Sequence, residues 1–221
     1  MAVRTIKKTQ SEKNDMDKEE DIFDLSIAKE EGLFVQKGLL LESDVASEVI
    51  DTMLDFPWIG SLIKIGRVGK NFIDLHFIRK IAKFLKQSDD IGFEKKEAFL
   101  AKLDKKNRKK MREYLMHLLY TAEEDRKAVV MGMVYRDRIM GNIDNDMFLR
   151  LCSSINRIYI EDVGKLSDYI KPNPSNDYIT NNLYSSGLLQ MTKPSYIGES
   201  ITLGSDFELN AVGKNLLRIL K

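Results

Sequence analysis

Apolar residues recur at helical spacing along most of this chain. Between Asn71 and Lys86, Phe77, Ile78, Ile81, Phe84 and Leu85 fall on one helix face, with His76, Arg79, Lys80, Lys83 and Lys86 opposite. Upstream, Asp21 to Glu31 reads as a short helix stopped by Gly32. A second begins behind Ser43 and places Val45, Val49, Ile50, Met53 and Leu54 on one side. Downstream, helices are predicted over 93–103, 104–120 and 121–140. The last of these is opened by Thr121 and Glu124 at capping-box spacing and stopped by Gly141. A further helix, capped by Asp144 or Asn145, presents Met147, Phe148, Leu151 and Ile155, and a short helical turn covers 162–170. The last 44 residues change character. A helix over 178–189 ends in Gly187, a loose hairpin containing Pro194, Gly198 and Gly204 runs over 190–209, and Asn210 caps a closing helix over 211–220.

This pattern predicts a mainly α protein: a helical bundle with a small C-terminal β-hairpin. Residues 1–20 lack apolar periodicity and read as a disordered tail; residues 21–170 read as the helical domain. Residues 171–177, with Pro172 and Pro174, read as a linker to a tail over 178–221.

One stretch departs from clean periodicity. Phe56 to Ile63 is uncharged and holds the chain's only tryptophan, and Gly60, Gly66 and Gly69 interrupt the segment from Trp58 to Lys70. Trp58, Ile59, Leu62 and Ile63, with Lys64, Arg67 and Lys70 behind them, suit the edge of a membrane or a protein partner. The bland alternative is that 56–86 is the central helix of the bundle. The same charges interrupt the segment too often for a spanning helix. Gly66 to Asn71 resembles a phosphate loop, but Lys64 occupies the position of its first glycine and Asn71 that of its Ser or Thr.

Charge sharpens the picture. The net charge is +1, yet residues 1–63 carry −7, residues 64–112 carry +10 and residues 113–221 carry −2. The densest cluster is Lys105, Lys106, Arg108, Lys109, Lys110 and Arg112. It reads as an anionic-partner patch, or as a solvated helix face neutralised by the acidic first third.

Little else suggests chemistry. Cys152 is the only cysteine and sits in an apolar periodic pattern, as a small core residue would. Asp144 and Asp146 suggest a calcium loop, but a helix continues where its glycine and glutamate belong, so capping is the better role. His76 and His117 lie far apart with no grouped donors. No catalytic residue, metal site or cofactor is assigned, and the chain is expected not to be an enzyme. With no apolar signal core near its start, it is expected in the cytoplasm, at most peripheral to an inner membrane.

The tail is similar to the last part of winged-helix regulators. Leu183, Gly187, Leu188 and Leu189, then a hairpin, then Phe207, Leu209, Asn210, Gly213, Leu216 and Leu217 match that grammar, with Asn210 in place of the usual threonine. The resemblance implies a wing beside a DNA-reading helix, yet residues 178–189 contain no Lys or Arg. The whole layout also resembles an uncharacterised bacterial helical family. It is loosely similar to alpha-type abortive-infection proteins of phage defence, through Pro57 to Gly60, Lys80 to Leu85, Gly141 to Leu151 and this tail. That likeness implies a context, phage defence or stress response, and no site residues.

The expectation is therefore a non-enzymatic bacterial protein acting through contacts with a protein partner or its own copies, with 56–86 engaging a membrane surface. The alternative is a nucleic-acid-binding regulator using 102–112 and the winged-helix-like tail.

Overall fold

The computed structural model describes residues 75–175, 177–192 and 206–221, with the side chains of Leu75, Lys105 and Arg108 left aside. The chain divides into two compact units between His117 and Leu118. The described elements are mainly helical, with a small two-stranded antiparallel sheet near the C-terminus. This is the fold class that the periodicity predicts.

The first unit's described part holds helices α1 (Leu75–Leu85), α2 (Phe93–Lys102) and most of α3 (Lys105–Thr121). A 3-10 turn, Lys86–Ser88, continues α1. The predicted apolar face of α1 is buried throughout, from Phe77 to Leu85. Its polar face is less uniform, because Lys80 is also buried. Asp104 starts α3 by accepting the Asn107 N–H at 3.0 Å, which satisfies one of the helix's orphan donors. This bond, with burial opposing it and the Asn107 side chain assisting, holds its carboxyl below the usual aspartate range.

The second unit comprises α4 (Asp125–Ile139), α5 (Asn145–Arg157), a 3-10 segment (Ile160–Tyr169), α6 (Tyr178–Ser185), β1 (Leu189–Met191), β2 (Phe207–Leu209) and α7 (Ala211–Leu220). Helices α4 and α5 form its most extensive packing, and α7 lies against α4, α5 and β2. Met131, Val134, Phe148, Leu151, Cys152, Ile155, Leu166, Leu183, Leu188 and Leu216 are all fully buried and form the core.

Local signals account for most of these boundaries. Gly141 ends the helix region of α4 at φ +81°, a conformation that favours glycine. The Gly141 N–H reaches the Arg138 carbonyl and the Asn142 N–H reaches that of Asp137, each at 3.1 Å, which makes a Schellman cap. Gly187, at φ +83°, ends α6 in the same way. Its N–H bonds the Tyr184 carbonyl, and the Leu188 N–H bonds that of Leu183, with both leucines buried. Asp144 caps α5 through the Met147 N–H at 2.8 Å, the role its sequence context favours over calcium binding.

One expected cap does not form. Thr121 belongs to α3 and its hydroxyl donates to the Leu118 carbonyl, while α4 opens after Glu124 without a side-chain cap. The preceding helix claims the threonine hydroxyl before it can serve the next one. The hairpin pairs Leu189 with Leu209, Gln190 with Glu208 and Met191 with Phe207. The segment expected as a linker is tied to this sheet: Asn173 and Phe207 exchange both backbone hydrogen bonds at 2.9 Å.

Candidate contact surface

Of the residues singled out in the sequence, Trp58, Ile59, Leu62, Ile63, Lys64, Arg67 and Lys70 lie outside the described residues. The basic cluster lies on α3, and its cations do not share one exposed face. Lys106 and Lys110 are exposed or nearly so and Lys109 is half-buried, whereas Arg112 is only 6% exposed. The helix turns Met111, Leu115 and Leu118 inward, and Arg112, one residue past Met111, goes with them. The exposed stripe continues into Glu113 and His117, one of them an acid.

The second unit presents a more coherent surface, built around α6. Asp177 starts this helix. It accepts the Thr180 N–H at 2.8 Å and the Thr180 hydroxyl at 2.9 Å. Those bonds, the backbone one first, hold the Asp177 carboxyl below the ordinary range.

The inward side of α6 is fixed by a polar network. Thr180 and Tyr169 meet hydroxyl to hydroxyl at 2.7 Å inside the unit. The Asn182 amide donates to the buried Asp162 carboxylate at 2.5 Å, and its oxygen faces the Tyr159 N–H at 3.5 Å. Arg157 donates to the Ser186 carbonyl at 3.2 Å just beyond the helix. A buried carboxylate needs such donors, and here they lock the 3-10 segment to α6.

The outward side is thereby defined. Tyr178, Asn181 and Ser185 are exposed at helical spacing, and Tyr178 is 78% exposed. Tyr159, held beside Asn182 through its backbone, is 60% exposed, and Tyr184 leans on Phe207 with ring centroids 5.3 Å apart. No Lys or Arg occurs anywhere from Tyr178 to Met191. The face is aromatic, polar and uncharged. Sequence reasoning registered the missing cations but not Tyr159, which no periodicity links to α6; the Asn182 contact sets its backbone beside that helix while its side chain is exposed.

The junction after α6 is equally specific. Asn210 accepts the Gly213 N–H at 3.0 Å as the α7 cap, and its amide nitrogen donates to the Gly187 and Leu189 carbonyls at 2.9 and 3.1 Å. A threonine hydroxyl has one proton and cannot make both of those donations. This is a physical reason for asparagine at that position.

Cys152 is buried completely in α5, and burial pushes its thiol far above the ordinary range. It is a core side chain, as its place in an apolar pattern implied. Among the described residues, no three His, Cys, Asp or Glu side chains gather as a metal site, and no helix is long and apolar enough to cross a membrane. No family model, curated protein or solved structure matches this chain.

Proposed function

We propose that this is a non-enzymatic protein that acts by binding another protein, and that the outward face of α6 together with Tyr159 is its contact surface. The observation that carries this reading is the composition of that face: Tyr178, Asn181, Ser185 and Tyr159 are exposed around a helix whose inward side is locked, with no cation along the helix itself. Tyrosines offer large, stiff contact area with a polar tip, and Asn and Ser supply adaptable hydrogen bonds. A helix that reads duplex DNA would carry Lys or Arg for phosphates and guanine edges. The resemblance to abortive-infection proteins would set such contacts in phage defence.

The test places a photo-crosslinking phenylalanine analogue at Tyr178 in the full chain, in its native host. A discrete cross-linked protein, lost when Tyr159 and Asn181 are changed to Ala, supports the proposal. Salt-dependent binding of duplex DNA that those same substitutions abolish would overturn it in favour of a nucleic-acid regulator.

A further inference from the structure

Helix α3 carries its charge at the unfavourable end. Five of its first six residues are basic, and its first turn contains no acid. Aligned peptide dipoles make a helix N-terminus positive, so cations there oppose the helix. Lys106 and Lys110 stand four residues apart, where side chains are surface neighbours, and like charges at that spacing oppose it too. From Lys102 to Arg112 the chain holds seven cations and one acid, net +6. The acid is Asp104, which is engaged as the α3 cap.

The fold leaves part of this charge in water. Lys102, at the end of α2, and Lys106 and Lys110 on α3 are exposed. Among the described residues, no ion pair engages these three lysines. Arg112 is buried and Lys109 half-buried, so neither belongs to the exposed stripe. An anion lying along Lys106 and Lys110 reverses the sign of both unfavourable effects. Four residues of helix set the two lysines about 6 Å apart along its axis. Phosphates follow one another by about 3.4 Å along each strand of a duplex, so two steps come close to that separation. Ammonium groups are compact point charges suited to such contacts.

We propose that the start of α3, through Lys106 and Lys110 with Lys102 before it, holds the phosphate backbone of a nucleic-acid duplex. Phosphate contacts carry no base information, so this binding is independent of sequence. It is also independent of the α6 contact surface.

Two measurements on the full chain test it. The first titrates the protein into two short fluorescent DNA duplexes of unrelated sequence. Three lysine–phosphate contacts predict an affinity loss of roughly 40-fold between about 50 and about 200 mM salt, alike for both duplexes. Lys106→Gln with Lys110→Gln is expected to shrink that loss to roughly 3.5-fold and to lower the affinity at about 50 mM salt by more than about tenfold. Lys165→Gln with Lys214→Gln removes the same charge from exposed sites of the second unit and is expected to bind as the parent does.

The second measurement needs no substitution. Saturating duplex is expected to shield Lys106 and Lys110 of the parent, and not Lys165 or Lys214, from amine acetylation read by peptide mass spectrometry. No binding at low salt, equal losses in the two double variants, or lysines that stay equally reactive with duplex bound would overturn the proposal. So would a clear preference for one duplex over the other. Poly-glutamate that shields the same lysines where duplex does not would overturn it in favour of an acidic protein partner.

Discussion

Asn210 joins three pieces of backbone through one side chain, and its substitutions separate the contributions. Its oxygen caps α7 at Gly213, and its amide nitrogen holds the Gly187 and Leu189 carbonyls on either side of the turn after α6. Its backbone N–H adds a 3.2 Å bond to the Leu188 carbonyl, which substitution leaves in place. Loss of the cap costs about 1 kcal/mol. Loss of two half-buried donations costs about 1 kcal/mol each. Asn210→Ala is therefore expected to destabilise the second unit by about 3 kcal/mol. Asn210→Asp keeps the cap and gains up to about 1 kcal/mol from a negative charge at a helix N-terminus. It loses both donations and sets carboxylate oxygen against two carbonyls, for a net cost of about 1 to 2 kcal/mol at neutral pH. Asn210→Thr, the residue usual in the tails this one resembles, keeps the cap and loses at least one donation, so it falls between the parent and Ala. For a unit of about 100 residues these costs correspond to about 12 °C for Ala and about 6 °C for Asp in thermal unfolding. Hydrogen exchange at Gly213 and Lys214 localises the effect. An Asp variant as stable as the parent would refute the role given to the amide donations, and an Ala cost below about 1 kcal/mol would refute the whole account.

Other consequences are simpler. Gly213→Ala is expected to cost about 3 kcal/mol in denaturant titration, because an ideal Cβ there would stand 2.2 Å from the Leu188 carbonyl oxygen and the backbone must yield. Asp137 receives Arg218 through two hydrogen bonds at 2.6 and 3.2 Å and Asn142 at 2.7 Å. Burial pushes its carboxyl up, but these bonds and the Arg218 charge outweigh it, so the folded pKa lies below the unfolded one. The pair's stabilisation is present above the unfolded value, about 3.9, and is lost as pH falls through the folded value. An Asp137→Asn variant should flatten that part of the stability-versus-pH curve and cost less than about 1 kcal/mol at neutral pH, given how exposed Arg218 is. The Cys152 thiol should resist an aromatic disulfide reagent in the folded protein and react in step with unfolding, so rapid modification of native protein would contradict its burial.

Much of this molecule is written in short-range terms. Helix faces, the Asp104, Asp144 and Asn210 caps and the two glycine stops act over three to five residues, so the composition of a single turn determines them. The absence of cations from Tyr178 to Met191 is also plain from sequence alone. What escaped was long-range or competitive. Thr121 satisfies every local rule for a cap, yet α3 runs through it. Arg112 belongs to a basic run, yet its place beside Met111 turns it inward. The antiparallel bridge from Asn173 to Phe207 spans 34 residues, and the Tyr159–Asn182 contact spans 23. Only packing decides such partnerships. A backbone or amide group has many chemically equivalent candidates along the chain, and the folded core selects among them by bringing one within about 3 Å.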